Sequence, residues 1–98
     1  MTHRLNVRPE AESDMSEAYD WYESQQSGLG RDFLDEISAC LHRIETDPQL
    51  YSKIHGWLRR ALVQRFPFGV FYIVETEYVN IIAILHAARR PETWKTRV

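Results

Sequence analysis

Cysteine is almost absent from this chain, glycine and proline are sparse, and no long hydrophobic run occurs. Each shortage removes a class of answer. The single Cys40 cannot close an intrachain disulfide, and a lone thiol fits a reducing cytosol. No uninterrupted apolar run is longer than Val70 to Val74. That is far short of the about 20 residues a membrane-spanning helix needs, so no membrane role is expected. The N-terminal stretch MTHRLNVRPEAESD has no apolar h-region, so no secretory signal is expected. There is no repeat, no low-complexity segment, no Gly-rich phosphate loop and no nucleophile elbow. His3, His42, His55 and His86 form no H-x-x-x-H or Cys/His spacing, which argues against a metal site, and no cofactor is expected.

What is present describes one domain over residues 1–98, long enough for a core but not for two. A hydrophobic content of 44% with 27% charged residues is that of a globular chain, which argues against disorder. The net charge of −2 conceals an uneven distribution. Residues 10–47 carry eleven Asp or Glu against Arg31 and Arg43, a balance of −9. Residues 48–98 carry eight Lys or Arg against Glu75, Glu77 and Glu92, a balance of +5. Such a dipolar molecule orients on an anionic partner without being basic overall, though two solvated faces of opposite sign explain the totals equally well.

The hydrophobic pattern sets an order of elements. His3 to Val7 alternates as a first strand, with Leu5 and Val7 on one face. Pro9 suits the first turn of a helix, and Glu10, Glu12 and Asp14 suit the positive end of its dipole. Ala11, Met15, Ala18 and Tyr22 form its apolar stripe, widened by Trp21, as far as about Gln26. Gly28 ends that helix and a second begins near Arg31, with the stripe Phe33, Leu34, Ile37, Leu41 and Ile44. Pro48 stops it at Thr46-Asp47. So short a turn predicts an antiparallel helical pair. Gln49 to Lys53 reads as a loop. Strands then follow at Trp57 to Phe66, Val70 to Glu75, and Tyr78 to Leu85 or His86, the last two apolar on both faces and therefore central. The tail from Ala87 reads as irregular, with one helical turn at Pro91-Glu92-Thr93-Trp94. The expectation is an α+β fold of order β-α-α-β-β-β, its helical hairpin packed on one face of a mainly antiparallel four-stranded sheet.

Cations and one histidine sit at the ends of the meander: Arg59, Arg60, Arg65, His86, Arg89 and Arg90. A histidine titrating near neutrality serves general acid/base chemistry, and His86 stands at a strand end near two arginines. A strand-end histidine satisfied by the backbone is the simpler account. Alternation puts Arg59 and Arg65 on one strand face and Arg60 on the other. Two arginines on one face can grip a phosphate bidentately. Edge-strand cations also guard against aggregation, which explains any single one of them. Trp57 and Trp94 fall near segment ends, where an aromatic ring stacks on a base or packs in the core. The carboxylates of the first helix, Asp14 and Glu17 among them, have the spacing of an exposed face.

One succession of residues resembles a known family. Ala11-x-x-Asp14-x-x-x-Ala18-x-x-Trp21-Tyr22, then Gly28-Leu29-Gly30-x-x-Phe33 and Pro48, is similar to the RelE/ParE toxins. So are Arg59-Arg60, Arg65-Phe66-Pro67-Phe68, Tyr72, and His86-x-x-Arg89-Arg90-Pro91-Glu92-x-Trp94-x-x-Arg97. The resemblance spans nearly the whole chain and agrees with the element order. It implies the cytoplasmic toxin of a type II toxin–antitoxin pair, a plasmid-stabilisation protein that inhibits growth until a cognate antitoxin binds it in a hetero-oligomer.

The family divides by target, and the division decides whether the protein is an enzyme. RelE-like members cleave mRNA on the ribosome, where the substrate 2′-OH is the nucleophile and the protein supplies acid/base groups and cations. ParE-like members bind DNA gyrase. On the nuclease pattern His86, Arg89, Arg60 and Arg59 would be catalytic, with Arg65, Arg90 and Trp94 contacting target or phosphate. Trp94 stands where a nuclease has a tyrosine and offers no hydroxyl. Gly69 stands where the nucleases carry an arginine three residues before Tyr72. Losing such a cation typically costs ~10²-fold or more in rate. The sequence therefore leads to a ParE-like toxin, with the ribosome-dependent nuclease as the alternative and an inactive, toxin-derived binding module as the third.

Overall fold

Local rules place most of the elements, and long-range pairing decides the rest. The computed structural model describes residues 3–98. Its order is β1 (Arg4–Val7), α1 (Pro9–Gln25), α2 (Leu29–Thr46), β2 (Lys53–His55), β3 (Leu58–Leu62), β4 (Phe68–Val74), β5 (Tyr78–His86) and α3 (Pro91–Lys95). Pro9 occupies the first turn of α1, with Glu10 and Glu12 beside it. Gly28 takes the left-handed conformation at φ 91°. The start of α2 is capped from the preceding helix, because the Glu23 carboxylate accepts the N–H of Gly28 at 3.0 Å and of Gly30 at 3.0 Å. Gly30 lies so close to the Tyr19 ring that a Cβ would stand 2.8 Å from it, which fixes how tightly α2 crosses α1.

The sheet has five strands, in the order β1-β5-β4-β3-β2, where four were expected. The extra strand is β2, which turns at Gly56 and pairs antiparallel with β3 through Lys53↔Arg59 and His55↔Leu58. Three residues are too few to leave a periodic signal in sequence. Conversely, the segment after Leu62 leaves the ladder instead of continuing the strand to Phe66. Arg65 there adopts φ 69°, and the Val63 N–H closes the turn on the Phe68 carbonyl at 2.9 Å. β1 is parallel to β5 and the other pairings are antiparallel, so the sheet is mixed but mainly antiparallel.

Two cores result. The hairpin lies on one face, where Phe33, Ile37, Cys40 and Ile44 meet Ala61, Val70, Tyr72 and Ile81. The central strands are apolar on the other face as well, as their sequence indicated. That face carries a second cluster of Leu58, Phe71, Ile82, Ala83, Leu85 and Trp94, covered by the short helix α3. A bulge makes this possible. Phe71 pairs with Ala83 but Tyr72 with Ile81, so Ile82 is an extra residue and both Ile82 and Ala83 reach the second core. The Tyr72 hydroxyl, fully buried, donates to the Pro48 carbonyl at 2.6 Å and ties the end of α2 to β4. Burial pushes its pKa well up.

Candidate functional site

The arginines of β3 do not act together. Arg59 lies on the hairpin side, where its guanidinium donates to the carbonyls of Tyr51 at 2.5 Å and Gln49 at 3.3 Å. Two of its donors therefore hold the loop after α2. Arg60 lies on the opposite face with Leu58, in an open cleft of about 360 Å³ shared with Leu50, Tyr51, Ser52, Ile54 and Leu62. Its guanidinium has no hydrogen-bond or ion-pair partner among the described residues. Its aliphatic stem crosses Gly69, whose Cβ, if present, would stand 3.1 Å from Arg60 Cγ and Cδ. The missing side chain at Gly69 is thus what lets Arg60 lie flat on the sheet.

Arg65 was expected to share a strand face with Arg59, but it stands in the turn beyond β3. There it pairs with Glu36 at 3.2 Å and Asp32 at 3.9 Å on α2. His86 stands at the end of β5, where its Nδ1 accepts the Ala88 N–H at 3.0 Å and its ring meets Phe68 edge-on at 5.5 Å. A neutral imidazole that accepts through Nδ1 carries its N–H on Nε2. The histidine is satisfied by the backbone as the simpler account had it, through a donor rather than a carbonyl. Arg89 and Arg90 are exposed in the turn after β5. Trp94 is buried at 8% exposure, stacked on Phe71 with centroids 5.6 Å apart and beside His55 at 5.7 Å. It is the keystone of the second core. Trp57, by contrast, is exposed at the β2–β3 turn beneath the Lys53 ammonium. Arg59, Arg60 and Arg65 therefore stand apart from one another, and of the named residues His86 and Arg89 line a common cleft.

Three other residues build a site that spacing did not reveal. Asp14 does not belong to an exposed helix face. Its carboxylate is paired with Arg97 at 2.6 and 3.1 Å, and its Oδ2 also accepts the Ile84 N–H at 3.0 Å. Arg97 donates further to the Ile82 carbonyl at 3.3 Å. The carboxylate holds the Arg97 guanidinium above its ordinary pKa. Trp21, expected to widen the core stripe, is 59% exposed. With Ala18, Tyr22, Pro67, Phe68 and His86 it walls an apolar pocket of about 440 Å³. This pocket continues into a smaller cleft of about 180 Å³ along α1 and the end of β5, where Asp14, Glu17 and Arg89 add charge. The only sequence signal was that Asp14 and Arg97 both stood in the family-like pattern.

Among the described residues no helix is long and apolar enough to cross a membrane, and no cluster of His, Cys, Asp and Glu has the makings of a metal site. Comparison with known proteins agrees with the architecture. The family model described as "ParE toxin of type II toxin-antitoxin system, parDE" matches residues 5–91. A solved structure titled "Chromosomal ParDE TA system from P. aeruginosa" is similar over 87% of this chain and 96% of that chain, with a TM-score of 0.66. At 16% identity that likeness is one of fold. No individual curated protein matches the sequence. The family match over residues 5–91 and the hairpin-on-sheet fold together place the chain in the ParE toxin family of type II toxin–antitoxin systems.

Proposed function

We propose that this toxin arrests growth by holding a protein target, DNA gyrase, and that it does so without cleaving RNA. The observation that carries this reading is the packing of the sheet face beneath α3. A nuclease of the RelE kind needs preorganised cations and an acid/base group converging on one phosphate. Here that face presents Trp94 stacked on Phe71, and glycine at position 69. Of the arginines of β3 only Arg60 lies on it, Arg59 is turned to the other side, and His86 lies across the sheet in the α1 groove. A single arginine among apolar side chains suits a carboxylate of a protein better than an RNA backbone. The chain's net charge of −2 also gives poor attraction to ribosomal RNA.

The neutralising partner is a cognate antitoxin, as family membership implies. Its toxin-binding segment is disordered alone and folds on the toxin surface. Expression of this chain without antitoxin should arrest growth, and purified protein should inhibit supercoiling by gyrase. Primer extension on translated mRNA is expected to show no new ends. If ends appear and vanish in a His86→Ala, Arg89→Ala variant, the nuclease reading replaces this one. If expression leaves growth unaffected, the chain is an inactive binding module.

A further inference from the structure

The short strand β2 covers only part of β3. It pairs at Lys53↔Arg59 and His55↔Leu58, and the Arg60 N–H makes the last contact, with the Ser52 carbonyl at 3.4 Å. β3 runs on to Leu62. The Val63 N–H bonds the Phe68 carbonyl at 2.9 Å, in register with the Leu62↔Gly69 pairing. Backbone groups alternate in direction along an antiparallel ladder. Arg59, Ala61 and Val63 therefore aim theirs at β4, and Arg60 and Leu62 aim theirs away from it. Before Ser52 the chain has left β3, and the carbonyls of Gln49 and Tyr51 accept from the Arg59 guanidinium instead. The Arg60 carbonyl and the Leu62 N–H thus lie on an open edge and meet no partner among the described residues. This edge is bordered by apolar and cationic side chains. Leu50, Tyr51, Ile54 and Leu62 wall the cleft of about 360 Å³ that Arg60 enters, unpaired with any carboxylate among the described residues. Six large apolar side chains are exposed among the described residues, and Leu50, Trp57 and Leu62 all belong to this hairpin and the loop before it. Such a gathering marks a contact surface. Its charge is of one sign, since residues 48–74 hold Lys53, Arg59, Arg60 and Arg65 but no Asp or Glu.

We infer that this edge, from Arg60 to Leu62, receives an extended acidic segment of the protein whose activity the toxin blocks. The inference rests on the target reading above and adds the place, mode and chemistry of the contact. The free backbone groups select an extended chain, because a helix has already paired its own. Alternate side chains of that chain fall on the α3 side of the sheet, beside Arg60 and Leu62. A carboxylate next to Arg60 and a large apolar side chain two positions away satisfy both. The bare surface of Gly69 lets the Arg60 stem lie flat and carry its guanidinium into the cleft. A second copy of this chain fits poorly. Pairing two such edges would gather the Arg60 and Lys53 of both copies with no acid between them, and edge-strand cations act against that pairing. The chain's own carboxylates are concentrated in α1 and α2, whose backbone groups are spent within the helices. The occupant is therefore an acidic strand of another protein.

The test compares the wild-type chain with Arg60→Glu and Leu62→Asp in gyrase supercoiling, in affinity for the cognate antitoxin and in melting temperature. Both substitutions lie outside the two cores, so the melting temperature should stay near the wild-type value. Each should raise the concentration needed for half inhibition by about tenfold or more, as at a contact hot spot, and leave antitoxin affinity unchanged. Hydrogen exchange at the Leu62 amide should slow by about tenfold or more when gyrase is bound. That measurement uses the wild-type chain and does not depend on how the variants fold. If both variants inhibit as the wild type does and Leu62 exchanges at its free rate in the complex, the inference is overturned and the target reading stands. If the wild-type chain neither binds nor inhibits gyrase, the target reading falls and takes the inference with it. Loss of antitoxin affinity with inhibition intact would give the edge to the antitoxin and overturn the assignment. Protection of Leu62 in the free chain, rising with concentration, would give it to a second copy and overturn it equally.

Discussion

Removing either partner of the Asp14–Arg97 pair should cost this domain a large share of its stability. The side chains are 9% and 21% exposed, and the contact is bidentate. Breaking a buried pair by deleting one partner typically costs ~3–5 kcal/mol, because the other charge is left behind. Arg97→Ala opens a path for water to Asp14, which keeps its bond from Ile84, so the cost falls just below that range, at about 2–3 kcal/mol. Asp14→Ala strands both the guanidinium and the Ile84 N–H, which puts it at about 2–4 kcal/mol. The double variant leaves no unpaired charge and should cost less than the sum by roughly 1–2 kcal/mol. In a domain of this length each kcal/mol moves the melting temperature by about 4–8 °C. The measurement is a double-mutant cycle by urea denaturation, checked by thermal melts. Because the two residues are 83 positions apart, Arg97→Ala should also release α3, visible as faster exchange of its amides. Single variants that each cost under about 0.5 kcal/mol, or that add without coupling, would refute the claim that this pair holds the C-terminal arm.

Trp94→Ala should cost about 3–5 kcal/mol and Trp94→Phe much less, since the ring fills the second core and carries no obligatory polar contact; denaturation of the two variants decides it. Gly69→Arg should give no RNA cleavage in primer extension and should destabilise the fold by about 1–3 kcal/mol, because its Cβ meets the Arg60 stem. Tyr72 has its pKa raised by burial, so its contribution is intact below the unfolded tyrosine value of about 10 and is lost as pH rises beyond it. The folded state then holds more protons than the unfolded one, and stability should fall with pH by at most ~1.4 kcal/mol per unit from this residue. Burial raises Tyr22 and Cys40 in the same direction, so the test is the difference between wild type and Tyr72→Phe above pH 10.

Much of the fold was legible because its signals are local. The stripe Phe33, Ile37 and Ile44, the stop at Pro48 and the apolar runs of β4 and β5 each report on a few neighbouring residues. What was missed depends on distant partners. β2 exists because β3 offers it an edge, and no three-residue strand shows periodicity. Ile82 and Ala83 read as ordinary alternation until the bulge turns both to one face. Asp14 looks like any helix carboxylate unless Arg97 is known to return to it. Trp21 continues the stripe in a helical projection, yet the sheet ends before reaching it. Arg59 and Arg65 were expected to share a face because alternation was assumed to continue through Arg65, after the strand had stopped.

The fates of those cations bear on what the molecule does. Arg59, Arg65 and Arg97 spend their donors on carbonyls or carboxylates of this same chain, so they stabilise folds of the backbone rather than a ligand. Arg60, Arg89 and Arg90 are left: Arg60 on the α3 face, Arg89 on the cleft along α1, and Arg90 exposed just before α3. Arg60 and Arg89 thus stand in separate clefts and do not face one phosphate. Separated cations beside apolar pockets are well suited to acidic residues spaced along a protein partner, where charge sets orientation and buried apolar side chains set affinity. If that is their use, Arg89→Glu should slow association with antitoxin and weaken the fall of that rate with salt, while leaving dissociation nearly unchanged. Trp21→Ala should do the reverse. Stopped-flow measurements at two ionic strengths separate the cases, and an Arg89→Glu variant that changes only dissociation would break the argument.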